Sequence, residues 1–471
     1  MAKAPLKTAK SNRPRTIEPF EIDIKTLNEE GIGIGTRDNK EVWVAGTLPG
    51  EKVLATRENE GQYRIIARLQ KILVAHPRRV APPCRHARDC QGCPLLQLNY
   101  SEQLNFKQEK LRHAFSSYAN LKDLQINAIA AAPEPLAYRT TAKLVFAKNR
   151  GRVQLGLYRR GTHEVVNIGD CPLHHPLLNQ VAGVVREEVQ RQNIFVYDPR
   201  TGRGLLRYLT IKVAPESAKV MVTFITSERN YRELNPLAKW LQRKVPEVVS
   251  VHQNVNTSSG NVIFGRETHK VLGLPDLITR IGEIRLRISP TSFFQVNHSQ
   301  AAAIYALVRQ WAGLRDDEHA LDVYCGIGGI ALHLAKDAGR VTGIEILEAA
   351  VQNARENARL NHIDNCNFQA GDSLELLRRH ISETKPARMV VLNPPRSGCD
   401  KPVLEAAAAL HPRMLIYVSC NPETLARDLD ILHGCGLRAE MVQPVDMFPQ
   451  TAHVESVARL RPLKEEPRTR S

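Results

Sequence analysis

From Glu18 to about Leu73, apolar and polar residues alternate in short runs: FEIDIKTL, EVWVAGTL, EKVLATR and RIIARLQKIL. A period of two marks half-buried strands, and Glu30-Gly31, Asp38-Asn39 and Pro49-Gly50 between the runs are turn signals. Strands this short and evenly spaced predict a small closed or nearly closed β-barrel, an architecture that commonly binds single-stranded nucleic acid. A helical period covers Tyr100 to Tyr118. Residues 138–290 are mainly strand-like. TAKLVFAKNRGRVQLGLYRR and RYLTIKVAPESAKVMVTFIT each predict a hairpin, with a long helix, VAGVVREEVQRQ, between them. From about Pro290 the rhythm becomes regular. HALDVYC, RVTGIEI, NCNFQAGD, RMVVLNP and MLIYVSC read as strands, separated by helical patterns such as GIALHLAKDA, EAAVQNARENARLN and KPVLEAAAALH. That alternation predicts an α/β fold built on an open, largely parallel, doubly wound sheet.

The pattern divides the chain into a basic tail over 1–16, a β-barrel over 17–74, a β-rich central domain over 75–289 and a doubly wound domain over 290–471. Composition adds a partner class. Lys and Arg total 65 against 49 Asp and Glu, a surplus of +16, which favours a polyanion and nucleic acid before an acidic membrane surface. A hydrophobic content of 42% supports packed cores, so wholesale disorder is excluded. No run of about 18 apolar residues occurs, so no membrane span is expected. The N-terminus has basic residues but no apolar stretch, so it is not expected to be a secretory signal. An odd count of nine cysteines without such a signal reads as thiols or metal ligands in a reducing cytoplasm, not as a disulfide framework.

Five polar loops fall at the carboxyl ends of the five parallel strands. They are Tyr324-Cys-Gly-Ile-Gly-Gly329, Glu345, Asp372, Asn393-Pro-Pro395 and Ser419-Cys-Asn-Pro422. Ligands of open α/β sheets bind at that edge. The glycine loop, Gly326-x-Gly328-x-x-Ala331 with an acidic residue about 20 positions on, satisfies a relaxed adenosine-dinucleotide fingerprint. It does not separate NAD from S-adenosylmethionine, since both carry adenosine. The later loops discriminate. The two prolines make a rigid loop that can hold a polar side chain at a pocket mouth. Cys420, beside that loop and at the start of a helix, is a plausible thiolate.

These residues resemble a family. Ser289-Pro-Thr-Ser-Phe-Phe-Gln-Val-Asn297, Leu321-Asp-Val-Tyr-Cys-Gly-Ile-Gly-Gly329, Asn393-Pro-Pro-Arg396, Tyr417-Val-Ser-Cys-Asn-Pro422 and Phe448-Pro-Gln-Thr-Ala-His-Val-Glu455 are similar to the motifs of the S-adenosylmethionine-dependent RNA 5-methyluridine methyltransferases, in family order. The N-terminal module resembles the OB-like TRAM barrel of the ribosomal-RNA members. The resemblance implies a Rossmann-like methyltransferase domain with Cys420 as nucleophile and Glu455 as base. It also implies Gln295, Tyr324, Gly329, Glu345, Asp372 and Asn393 at the cofactor. Some ribosomal-RNA members carry aspartate at Asn393 and asparagine at Gly329, so here only backbone is available at the glycine.

Cys84-x5-Cys90-x2-Cys93 lies far upstream, and Cys171 follows; Cys93 and Cys171 each precede a proline. Four thiolates suit zinc or an iron–sulfur cluster, and the spacing leans to the cluster, because zinc sites usually pair two Cys-x2-Cys knuckles. The resemblance implies a [4Fe–4S] cluster on this pattern, with a structural role. Cys325, Cys366, Cys399 and Cys435 read as structural or incidental thiols. The expectation is a monomeric, cytoplasmic 23S ribosomal-RNA uracil-C5 methyltransferase. The alternatives are a tRNA 5-methyluridine methyltransferase, a non-catalytic RNA-binding iron–sulfur protein, and a nicotinamide dehydrogenase. The last explains the glycine loop but not Asn393-Pro-Pro or Ser419-Cys-Asn-Pro.

Overall fold

The alternating runs of the N-terminal stretch pair into a six-stranded sheet in the computed structural model, which describes residues 18–90, 92–258, 260, 262–382 and 387–463. The basic tail expected over 1–16 lies outside the described residues. A first compact unit runs to Ala81 and takes in Gln97–Asn99. In it, strand Phe20–Asp23 pairs with Lys52–Glu60, while Thr26–Leu27, the continuation of the same segment, pairs with Gly33–Arg37 at the other end of the sheet order. One bent segment therefore joins both edges and closes the sheet around Ile22, Val42, Val44, Val53, Ala55 and Ile65. The turns fall where the sequence signals them. Asp38 and Asn39 both take positive φ, 51° and 58°, the two-residue hairpin conformation those side chains tolerate best.

The second unit, Pro82–Leu96 and Tyr100 onward, contains two large sheets. The seven-stranded one includes both expected hairpins, Thr141–Asn149 with Arg152–Tyr158 and Leu206–Ala214 with Lys219–Thr226. Two helices, Pro176–Arg191 and Tyr231–Lys244, cover it through Leu178, Val181, Val185, Leu234, Leu237 and Leu241. The second helix departs from the strand-like reading of this region. Pro236 inside it obscures the pattern, yet Leu234, Leu237, Ala238 and Leu241 keep helical spacing and Asn230 caps it, accepting from Glu233 N at 3.2 Å.

The eight-stranded sheet has the order Cys366–Ala370, Arg340–Glu345, His319–Val323, Met389–Leu392, Met414–Ser419, Glu455–Pro462, Leu437–Val445 and Gln125–Ile126. The five expected strands are parallel, and the order reverses at His319–Val323, which opens a ligand crevice at their carboxyl ends. The last two long strands break the alternation. Glu455–Pro462 runs antiparallel between Met414–Ser419 and Leu437–Val445, so its first residue lies at the edge where the parallel strands end. Helix Tyr100–Ser116 packs into the core of this layer through Leu111, Ala114 and Phe115, and Gln125–Ile126 extends its sheet. A segment from before the middle sheet is thus built into the layer that carries the strand-end loops. Among the described residues no helix is long and apolar enough to cross a membrane.

Candidate active site

Strand Met414–Ser419 is buried along its whole length, so Cys420 is the first residue released at the sheet edge. Asn421 then caps helix Pro422–Gly434 by accepting from Glu423 N at 3.1 Å, with Pro422 in the first turn, where a missing N–H is harmless. In the antiparallel register Ser419 faces Ser456, which brings Glu455 beside Cys420. Glu455 is buried, and that burial pushes its carboxyl up to about 7 against the pull of the nearby Arg396 guanidinium. Burial, then the proximity of Glu455, raises the Cys420 thiol, while Arg396, within hydrogen-bond reach of it, acts in the opposite sense. The Arg396 carbonyl accepts from Asn421 Nδ2 at 3.2 Å and Thr424 Oγ1 at 3.3 Å, tying the proline loop to the helix start. Behind it, Cys399 N donates to Asp428 Oδ2 at 2.8 Å, and the Tyr417 hydroxyl donates to the same buried carboxylate. A thiol, a carboxyl of raised affinity for its proton and a cation that counters both are the parts a nucleophile–base pair needs.

The residues expected at the cofactor share that edge. Glu345 accepts from Gly326 N at 3.1 Å and Leu347 N at 3.0 Å, which fixes its carboxylate over the glycine turn. Gly326, at φ 56°, has open space where a Cβ would point; a Cβ at Gly328 would stand 2.9 Å from the Phe368 ring. A Cβ at Gly329 would stand 2.8 Å from the Tyr305 hydroxyl. A side chain at Gly329 would therefore have to displace Tyr305, and only the backbone of Gly329 is available to a ligand. Tyr324 holds a left-handed φ of 64° with its hydroxyl near Ser373 and Cys399. Asn393 N donates to Val323 O at 3.2 Å, and Asp372 caps helix Ser373–Ile381 by accepting from Glu375 N at 3.0 Å. Gln295 hydrogen-bonds the buried Tyr305, whose phenol is raised by burial and then by the proximity of Asp322.

Three candidates at this edge escaped the sequence reading. Asp322 is wholly buried in strand His319–Val323; one oxygen accepts from Ala331 N at 2.8 Å, while Oδ1 has no partner among the described residues. Burial lifts its carboxyl up to about 7. Its signal was present, a carboxylate inside an otherwise apolar strand. Tyr305 lies on helix His298–Ala312, where an aromatic at helical spacing reads as core. Arg396 stood in a quoted motif without a role.

Cys84, Cys90, Cys93 and Cys171 are half-buried free thiols. Burial raises each of them, Cys93 to about 12, and the proximity of the other thiols adds to the shift at Cys90, Cys93 and Cys171. Asn179 pins the last of them, accepting from Cys171 N at 3.1 Å and donating to Cys171 O at 3.0 Å. Among the described residues no group of three or more His, Cys, Asp or Glu is arranged to hold a metal ion as it stands. The thiols raise one another electrostatically, but as described they are not grouped as a ligand set.

A family model for tRNA (uracil-5-)-methyltransferases matches residues 99–462. An uncharacterized RNA methyltransferase of Geobacter sulfurreducens is 48% identical over 94% of this chain and 89% of its own length. One of Caldanaerobacter subterraneus is 37% identical over 95% of this chain and 99% of its own. The crystal structure of the Pyrococcus abyssi tRNA (uracil-54, C5)-methyltransferase with S-adenosyl-L-homocysteine superposes with a TM-score of 0.75 at 27% identity, covering 94% of this chain and all of that one. The doubly wound layer is thus a methyltransferase fold, and the chemistry is S-adenosylmethionine-dependent transfer to RNA. The chain belongs to the tRNA (uracil-5-)-methyltransferase family.

Proposed function

We propose that the chain methylates C5 of one uridine in 23S ribosomal RNA through a covalent bond between Cys420 and C6. The observation that supports this most is the register that sets Glu455 against Cys420 with Arg396 beside both. Uracil C5 is a poor nucleophile. Addition of the Cys420 thiolate to C6 moves the C5=C6 electron pair onto C5, which becomes enolate-like and reactive. When bound, S-adenosylmethionine supplies the electrophilic methyl group. Glu455 then removes the C5 proton, the electron pair re-forms C5=C6, and Cys420 departs as the thiolate. The open space at Gly326 and the unpartnered Asp322 Oδ1 fit a cofactor at this edge. Glu345 would take its ribose hydroxyls and Asp372 its adenine amine; Tyr324 would pack on it, and Gln295, Asn393 and the Gly329 backbone would offer polar contacts. The target uridine must leave its stack or lie in a loop for C6 to reach Cys420.

The four cysteines would hold a [4Fe–4S] cluster. Buried thiols that raise one another keep their protons unless a cation compensates, and the donor set of four cysteines suits such a cation. Anaerobically purified protein should be brown with about four iron atoms per chain; a colourless zinc protein would contradict this. A TRAM-like barrel and the positive surplus would recruit the RNA. A tRNA substrate is the second reading, favoured by the Pyrococcus enzyme, which covers 94% of this chain, so an N-terminal extension does not separate the two branches. Mapping 5-methyluridine in 23S ribosomal RNA and tRNA from a strain lacking the protein distinguishes them. Loss of one 23S site is expected, and loss confined to tRNA would transfer the assignment.

A further inference from the structure

The segment that leads into Glu455 is held by side chains from a remote part of the sequence. Gln450 is 6% exposed and has a φ of 69°, a left-handed conformation that a residue with a side chain keeps only when its surroundings enforce it. Its N–H donates to Gln103 Oε1 at 3.0 Å, and Gln103 Nε2 returns a bond to Gln450 Oε1 at 2.8 Å. Its carbonyl accepts from Leu95 N at 3.2 Å, and its Nε2 donates to Pro135 O at 3.4 Å. The neighbouring positions are anchored from the same region. The Tyr138 hydroxyl donates to Pro449 O at 3.1 Å, and Lys107 Nζ donates to Phe448 O at 3.0 Å while pairing with the buried Asp446. The Tyr100 hydroxyl donates to the other Asp446 oxygen at 2.8 Å. Leu95 stands two residues after Cys93, and Leu96 N closes that turn onto Cys93 O at 3.2 Å.

We propose that Gln450 is a positioning residue for Glu455, and that the turn after Cys93 and the helix Tyr100–Ser116 form a clamp through which the state of the cysteine site reaches the catalytic base. This rests on Glu455 acting as the base. A loop closed only at its own ends would leave the carboxyl free to drift, and a displacement of about 1 Å can slow a positioned reaction by about 100-fold. Among the described residues, the hydrogen bonds given above from the clamp to this segment all end on 446–450 and not on Cys420 or the residues of the glycine turn. Thiolate addition to C6 therefore proceeds when it loosens, and only proton removal from C5, with return of the electron pair to C5=C6 and release of the thiolate, is slowed.

The test combines a kinetic and a structural readout on the full chain. In Gln103→Ala, kcat should fall by about 10- to 100-fold with KM for RNA and for S-adenosylmethionine little changed. The covalent protein–RNA adduct should accumulate on denaturing gels. Gln103→Glu, which keeps an acceptor for the Gln450 N–H but sets an oxygen against Gln450 Oε1, should recover only part of kcat. Hydrogen exchange then compares iron-loaded with chelator-stripped protein. Residues 446–455 should lose protection in the stripped form while 321–331 keep theirs. If stripping exposes the whole chain, the same comparison is made between loaded wild type and loaded Gln103→Ala. Adduct and turnover falling together, or equal exchange of 446–455 in both forms, would overturn the proposal. If Glu455→Gln also gives no adduct, the reading of the base has failed instead, and the exchange comparison still stands.

Discussion

The glycine turn and the Glu455 segment meet at one sheet edge but are built by different means. Around the turn, Gly326, Glu345 and Leu347 lie within about twenty residues of one another, and two backbone N–H groups fix the carboxylate. Around the base, Glu455 reaches Cys420 only because an antiparallel strand is inserted beside Met414–Ser419, and the segment before it is held by residues more than 300 positions earlier. The turn is a local device that any doubly wound sheet can supply. The Glu455 segment is a long-range assembly. Changes at the turn should therefore act on cofactor affinity alone, whereas changes around the base should act on the fate of the covalent intermediate and on stability.

The largest separation is expected at the two reacting groups. Cys420→Ala should lower methyl transfer by on the order of 10⁴-fold or more while RNA binding persists, in a radiolabelled transfer assay beside a filter-binding assay. Glu455→Gln should lower turnover by about 10²–10⁴-fold and trap the protein–RNA adduct that Cys420→Ala cannot form. Equal behaviour of the two variants would remove the distinction between nucleophile and base.

The long-range character of the base region is tested through the buried ion pair. Lys107→Met leaves Asp446 buried without its cation and should destabilise the fold by about 3–5 kcal/mol in urea unfolding. Glu345→Ala should weaken S-adenosylhomocysteine binding by about 1.5–3 kcal/mol by calorimetry, with the exchange protection of 446–455 unchanged. Loss of that protection would mean that the two regions are coupled after all.

The smallest expected effect is a shift with pH. Glu455 titrates at about 7, above the ordinary carboxylate range, and accepts a proton only when ionised. The thiol it faces is raised too, so the rate kcat/KM should climb as pH rises through about 7, the limb belonging to the pair jointly. Arg396→Gln withdraws the cation that lowers both groups, so the limb should move to higher pH. A limb that stays in place would exclude Arg396 from their electrostatics. Stability runs the other way. A carboxyl whose folded value is raised favours the fold while protonated, so its contribution is complete below the ordinary carboxylate range and is lost as pH rises through about 7. His453, pushed down to about 4 by burial and neighbouring cations, stays neutral across that window.

The five parallel strands were legible because each is a short apolar run ended by polar punctuation, and the barrel hairpin because Asp38-Asn39 is a pair that tolerates positive φ. Helix Tyr231–Lys244 was not, since Pro236 interrupts its period. Cys420 and Glu455 were assigned by resemblance, and only the register of Ser419 with Ser456 gives their proximity a physical cause. Tyr305 and Gln103 carry no local signal, and Gln450 stood in a family motif without a role. Each looks like an ordinary helix or loop residue, and its importance arises from a partner that no short window of sequence contains. Asp322 is the opposite case, because a lone carboxylate in the strand HALDV already stands out.

The most direct measurement incubates Glu455→Gln protein with RNA from a strain lacking the chain and methyl-labelled S-adenosylmethionine, followed by denaturing electrophoresis and nucleoside analysis. The account predicts a labelled protein–RNA band that disappears when Cys420→Ala is added, and, with wild-type protein, label recovered only in 5-methyluridine. No covalent band, a band that survives Cys420→Ala, or label in another nucleoside would contradict it.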